Sequence, residues 1–394
     1  RRFLTATLGF VLGAVAGAPA TLAVLRPPGP DEPADLAHYR EVRDFARSSF
    51  VREVDEDELL ERALEGMLSS LDEYSRYYDT VDARSLDRET VGRYTGIGIV
   101  LKRPLEEGRI LFPLVGSPAQ RAGVRVGDTI VRVDLREVAP NGFTTELLHG
   151  AGDSAADLRL SVVGLDGDRR ELVVERASLV DPTVRHAQII EPEDGIAYVS
   201  VNSFSRTTPR EFEDAMSRLH QQGARALILD LRGNFGGVLS AAVELAARFV
   251  KKGTIVSTEG RGPAEVYVSS EQLATLAGLP LVVLVDGNSA SASEVLAAAI
   301  QDHRVGVVIG APTYGKGLVQ TIRSFKERRT IAKVTSAYYY TPSHRNLERS
   351  LDPGRDYGIL PDIAVELSRA ERSALYEFLV GYGPPEEHLP ALRG

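Results

Sequence analysis

The chain has no cysteine among its 394 residues. That absence excludes disulfides, a thiol nucleophile, a thiolate metal site and a lipid-modified N-terminal cysteine. A surplus of basic charge is missing too. The formal net charge is -9 and the pI about 5.5, with both signs interspersed, so the electrostatic footprint of a nucleic-acid binder is absent and no nucleic-acid partner is expected. No fixed-period repeat and no low-complexity tract is visible. What remains is a chain long enough for two or three domains, with core size no obstacle.

The one long hydrophobic run is residues 3–25, FLTATLGFVLGAVAGAPATLAVL, uncharged over 23 residues and long enough as a helix to cross a bilayer core of about 30 Å. Arg1 and Arg2 before it favour a cytoplasmic start, which puts the remainder in the cell envelope on the periplasmic or exported side. GAPA around Ala20 makes a cleaved signal peptide the alternative to an inner-membrane anchor. PPGPDEP at 27–33 is a stiff polar linker, which argues against a buried core helix. The chain begins with Arg1 and not Met, so a further cytoplasmic stretch is expected before it.

From 34 to about 71 the pattern is helical, with Leu59, Leu60, Ala63, Leu64 and Met67 on one face of DEDELLERALEGMLSSL. That face needs a partner, either the body of the protein or another subunit of a homo-oligomer. Between 89 and 177 short β-type runs such as TGIGIVLKR, GDTIVRVD and RRELVVER are broken by turns, with one helix-sized gap at 144–150, which predicts a compact, partly open barrel. From 196 onward strands and helices alternate, as in ALILDLR, VLSAAVELAARFV, LVVLVDG and SASEVLAAAIQDH, the pattern of an α/β layered domain with mostly buried strands. β structure resumes in LVQTIRSF and TIAKVTSAYYYTP, and a last helix is predicted at 369–380, opened by a capping box from Ser368 to Glu371. The expected organisation is therefore an anchor or signal segment with linker (1–33), a helical region (34–88), the barrel (89–177), the α/β core (178–367), and a terminal helix and tail (368–394).

GAPTYGKG, residues 310–317, is one residue short of a phosphate-binding loop, because Gly317 stands where Ser or Thr would hold magnesium. GLVQTIRSF follows as an alternating strand instead of the helix that completes a phosphate cradle, so nucleotide binding is set aside. What remains is Lys316 between two glycines, with Gln320 an even number of residues on and so on the same strand side. An amide orients an amine without adding a negative charge that would hold its proton.

Upstream, NSASASEVLAAAI runs from a polar turn into a helix, with Ser291 at the start and the Ala292 N–H where the helix dipole favours negative charge. Ser291 to Glu294 also spell a capping box, so capping is the competing role. LDLRGNFGGVLS ends a buried strand in a loop whose Gly236 and Gly237 let backbone approach a ligand, as an oxyanion donor does, or make a tight turn. His303 and Asp302 end the helix that Ser291 begins. About three turns, roughly 18 Å, make them poor members of a Ser-His-Asp triad.

LDEYSRYYD, YTGIGIVL with SPAQRAGVRVGDTIVRVD, LDLRGNFGG, SASASE, PTYGKGLVQ and YYYTPSHRN leading to GILPDI together resemble the carboxyl-terminal processing proteases, also called tail-specific proteases. The resemblance covers about residues 71–367. It implies an α/β, crotonase-like (ClpP-like) protease core with an inserted PDZ domain and N-terminal helices, a serine-type peptidase with no cofactor and no metal. By position in those motifs Ser291 matches the nucleophile, Lys316 the general base and Gln320 its orienting residue, while Ala292 and Gly236 or Gly237 match the oxyanion hole. Thr95, Gly96, Ile97, Gly98 and Ile99 match the PDZ loop that holds a peptide's terminal carboxylate. Substrate tails, and a possible activator or adaptor protein, are the implied partners. The sequence departs from the pattern at Phe235 (usually Pro), His149 (commonly Arg) and His344 (usually Gly).

As base, Lys316 must start neutral, so its pKa must fall from the ordinary value of about 10.4 by burial, and no carboxylate should contact its amine. The alternative reading is a PDZ scaffold on an inactive protease-like core.

Overall fold

The computed structural model describes residues 34–79, 86, 90–102, 105–148, 157–350 and 357–380. The apolar run at 3–25 and His149 lie outside them; among the described residues no helix is long and apolar enough to cross a membrane.

The N-terminal helical pattern is two helices, Ala34–Ser49 and Glu56–Ser69, broken where Asp55 turns its carboxylate back to cap the second on the Asp57 and Glu58 N–H groups. Of the face read from the sequence, Leu59, Leu60 and Leu64 are half-buried and Ala63 is exposed. Leu68 is its buried residue, Met67 is 57% exposed, and the helix packs on strand β1 (Arg76–Tyr78).

A small β domain follows: β2 (Arg93–Gly96), β3 (Ile99–Leu101), β4 (Ile110–Pro113), β5 (Thr129–Val133), β6 (Arg136–Glu137), β7 (Leu158–Val163), β8 (Arg169–Val174) and β9 (Ala177–Val180). β6, β5, β7 and β8 form one sheet in that order, and β2–β9 and β3–β4 form two-stranded pairs. In LRLSVV, Leu158, Leu160 and Val162 are buried to the last atom, the period of two expected of a strand with one core face. With Ile110, Ile130 and Phe143 they belong to a core of their own. The gap predicted at 144–150 holds a 3₁₀ turn, Thr145–Leu148.

The α/β body contains β10 (Val184–Glu191), β11 (Ile196–Val201), β12 (Ala226–Asp230), β13 (Gly253–Gly260), β14 (Glu265–Ser269), β15 (Leu281–Val285), β16 (Val307–Gly310), β17 (Leu318–Phe325), β18 (Thr330–Tyr340) and β19 (Ile363–Ala364). One sheet has the order β10-β11-β12-β15-β16-β19, parallel except where β10 joins β11. The second, antiparallel, sheet runs β1-β18-β13-β14 with β17 also on β18, so β1 carries the N-terminal region into the body through the register Arg76↔Lys333. Helix Ala292–Asp302 contacts β13 of one sheet and β16 of the other. Every residue from Ala292 to Ile300 is buried, as its apolar, alanine-rich sequence requires of a helix covered all round. The last helix, Arg369–Val380, opens with both halves of its capping box: Ser368 N–H to Glu371 Oε2 at 2.7 Å and Glu371 N–H to Ser368 Oγ at 3.3 Å.

Candidate active site

The site forms at the carboxyl ends of the parallel neighbours β12 and β15, where such sheets leave a crevice. Asp286, just past β15, accepts the Asn288, Ser289 and Gly233 N–H groups at 3.0, 3.1 and 3.0 Å, tying the turn before Ser291 to the glycine-rich loop after β12. Asp230 holds the start of that loop: Arg232 binds it through Nε at 2.9 Å and Nη2 at 2.6 Å, and Tyr198 Oη donates to it at 2.7 Å. Asn234 completes the junction. Its carbonyl accepts Ala290 N–H at 3.0 Å and Ser293 Oγ at 2.9 Å, and its Nδ2 donates to Val201 O at 2.7 Å.

Ser291 begins the helix with φ 56° and ψ -114°, a conformation that L-residues adopt at a cost and that functional turns retain. The capping box read from S-x-x-E is present in the fold: Glu294 Oε2 accepts the Ser291 N–H at 2.7 Å, and the Glu294 N–H also goes to the Ser291 carbonyl at 2.9 Å. Ala292 N–H has no partner among the described residues. A β-carbon on Gly236 would lie 2.9 Å from Ser291 Cβ and 3.0 Å from Ala292 N, so only glycine lets that loop close on Ser291. Gly236 donates its N–H to Asn234 Oδ1 at 2.8 Å, and Gly237 is seated beside it against Phe204. Phe235, between Asn234 and Gly236, is 69% exposed.

Lys316 arrives on the loop before β17. Its backbone N–H donates to Glu294 Oε2 at 2.9 Å, the oxygen that also holds Ser291 N–H. Two bonds to one atom set the backbones at 291 and 316 side by side. Glu294 Oε1 takes Gly315 N–H at 2.7 Å and Thr313 Oγ1 at 2.6 Å. Gln320 lies on the same side as Lys316, as the even spacing predicts, although β17 bulges against β18 between Val319 and Gln320. Lys316 Nζ donates to Gln320 Oε1 at 3.5 Å, and Gln320 Nε2 to the Tyr74 carbonyl at 2.9 Å. Burial lowers the Lys316 pKa, and the positive charge of Lys333 adds to the fall, against weaker opposing pulls from Glu348, Glu73 and Glu294. No carboxylate among the described residues forms an ion pair with the amine, matching the expectation for a base that starts neutral. Tyr339, beside Ser291, is pushed up to about 12 by burial and so stays a neutral phenol.

Ser291, Ala292, Gly236, Gly237, Lys316 and Gln320 thus converge, yet Ser291 Oγ and Lys316 Nζ make no hydrogen bond with each other. His303 and Asp302 are engaged elsewhere, with Thr254 O at 2.7 Å and with Ser343 and Arg345. Residues 95–99 belong to the small β domain, outside this cluster. Sequence reasoning missed Glu294 as a clamp, although S-x-x-E named it, and missed Tyr74 and Tyr339, for which no local pattern exists.

Residues 195–365 match the model of peptidase family S41, and residues 26–81 match that of the activating protease CtpB N-terminal domain. The chain is 31% identical over 360 residues to the carboxy-terminal-processing protease of Bartonella bacilliformis, covering 90% of this chain and 80% of that one. It is 29% identical over 336 residues to a CtpA-like serine protease of Staphylococcus aureus, covering 84% of this chain and spanning 65% of that relative's length. A solved S41 protease of Bacteroides fragilis aligns with TM-score 0.50 at 19% identity, over 86% of this chain and 90% of that one, a likeness of fold alone. The chain belongs to the carboxy-terminal processing proteases of serine peptidase family S41.

Proposed function

We propose that the chain is an endopeptidase that captures the C-terminal tails of proteins and cleaves them through a Ser291–Lys316 acyl-enzyme. The supporting observation is the pairing of a strained Ser291 with a half-buried Lys316 that has no carboxylate partner among the described residues, their backbones clamped by one oxygen of Glu294. Ser291 Oγ attacks the peptide carbonyl carbon while its proton passes to neutral Lys316. Ala292 N–H and an N–H of Gly236 or Gly237 hold the oxyanion; Gly236 serves once it leaves Asn234 Oδ1. The ammonium of Lys316 then protonates the leaving amine. Water, deprotonated by the same amine, hydrolyses the ester and restores Ser291. Gln320, braced on the Tyr74 carbonyl, aims the amine. Because the two reacting atoms are not hydrogen-bonded at rest, a closure of the site on substrate belongs to this reading.

For tail capture, support comes from the loop at residues 95–99. The Ile97 and Gly98 carbonyls are used by Ala119 and Leu114 N–H groups, both at 2.9 Å, whereas the N–H groups of Ile97 and Gly98 have no partner among the described residues. Among the described residues β3 pairs with β4 alone, leaving an edge to which an extended peptide adds in PDZ fashion. Tethering at the outer face of a membrane by residues 3–25, self-association and a protein activator complete the proposal. A serine-reactive phosphonate tests its core: labelling lost in both Ser291→Ala and Lys316→Met, with circular dichroism unchanged, supports it. Labelling retained in either variant would contradict it, and a chain that neither labels nor cleaves any tail is the inert scaffold.

A further inference from the structure

We propose that the ring of Tyr74 is the surface against which Lys316 carries the proton it takes from Ser291, making Tyr74 a positioning residue for the base. The inference rests on the Ser–Lys reading above. Lys316 Nζ lies 4.4 Å from the centroid of the Tyr74 ring, inside the range where the negative π face attracts a cation. The same residue reaches the base by a second route, because its carbonyl accepts Gln320 Nε2 at 2.9 Å and Gln320 Oε1 accepts from Lys316.

Tyr74 is held in place from outside the site. Asp72 Oδ1 accepts the Tyr74 and Ser75 N–H groups, both at 2.7 Å. Ser75, buried, donates to Asp72 Oδ2 at 3.0 Å and accepts the Thr335 N–H at 3.1 Å. β1 follows at once and pairs with β18. Tyr74 Oη is buried, without a partner at hydrogen-bond geometry among the described residues. Burial, with Tyr314 and Glu73 nearby, raises the phenol's pKa and keeps it neutral.

The charged groups around the amine are Lys333 on β18, which repels a proton on it, and Glu348, Glu73 and Glu294, which attract one. None of the three carboxylates pairs with it. Accepting the Ser291 proton therefore creates an ammonium on a half-buried side chain. A carboxylate there would hold the proton permanently and abolish the base. An aromatic face attracts the cation more weakly and offers the neutral amine almost nothing, so it stabilises the state after proton transfer without locking it.

The test is the pH dependence of kcat/KM on a short peptide for the full chain and for Tyr74→Phe, Tyr74→Leu and Lys316→Met. Tyr74→Phe keeps the ring and should match the parent in limb and plateau. Tyr74→Leu removes the π face, so the acidic limb should move down by roughly 0.5 to 1 pH unit while the plateau falls about three- to tenfold. If the ring only fills space, its loss lets water solvate the amine and the limb moves up, or the plateau falls with the limb unmoved; either result overturns the proposal. Tyr74→Met repeats the measurement should the leucine variant fail to fold. Cleavage surviving in Lys316→Met would overturn the Ser–Lys reading itself, whereas an inactive Lys316→Met beside an unmoved Tyr74→Leu limb overturns only the role of Tyr74.

Discussion

Replacing Glu294 with alanine should damage both the fold and the reaction. The carboxylate is fully buried and receives Ser291 N–H, Lys316 N–H, Gly315 N–H and Thr313 Oγ1 at 2.6 to 2.9 Å. Thr313 Oγ1 also accepts the Ile359 N–H at 2.7 Å, so its own proton must point at Glu294, and all four partners are donors. Burial raises the carboxyl's pKa while these donors pull it back. Alanine leaves four buried donors without an acceptor, each costing about 1 to 3 kcal/mol. They share one space that can take up water, so the costs do not add fully; a net loss of about 3 to 5 kcal/mol is expected. Unfolding in urea followed by circular dichroism measures it, and the melting temperature should fall by on the order of 10 °C. Because the same bonds hold the backbones at 291 and 316 together, kcat/KM should drop about a hundredfold or more at temperatures where the variant is folded. A variant within about 1 kcal/mol of the parent would refute the clamp, as would undiminished cleavage.

Lys316→Met should abolish cleavage and stabilise the protein. The folded-state pKa lies below the unfolded value of 10.5, so between the two the unfolded chain binds more protons and stability rises with pH. Below the folded value the penalty is complete. Thermal melts should therefore show the methionine variant more stable at and below neutrality, with the gain shrinking as pH climbs towards 10.5. Gly237→Ala should be poorly stable and inactive, because its φ is 137° and a β-carbon would stand 2.0 Å from Phe204 O; urea unfolding should show a loss of about 2 kcal/mol or more. Shortening the loop at 96–98 should impair cleavage of tails on folded proteins more than of short peptides, and equal losses would count against tail capture.

The residues that bear the proposed chemistry were legible because each sits in a short pattern that is odd for plain structure: a serine before an apolar helix, paired glycines after a buried strand, a lysine between glycines. The even spacing of Lys316 and Gln320 survived a strand bulge, since the two side chains are long enough to meet across it. What was not legible depends on contacts between distant segments. Glu294 reads locally as a cap, and only the packed body shows its second oxygen reaching the loop of Gly315. Tyr74 lies in a separate N-terminal stretch, and β1 brings it to Lys316. The face of the helix Glu56–Ser69 is wider than the strand it packs on, so Leu59, Leu60 and Leu64 are half-buried and Met67 is exposed. At His344 the departure from glycine is accommodated: φ is 60°, and the ring stacks on Tyr340 at 4.7 Å.

The central claim is an amine at Lys316 that is neutral when Ser291 needs it. Direct titration of that amine by NMR, in protein carrying labelled lysine and assigned against Lys316→Met, should give a pKa below the ordinary lysine value that coincides with the acidic limb of kcat/KM. An amine that remains fully protonated at pH values where cleavage is already maximal would contradict the account.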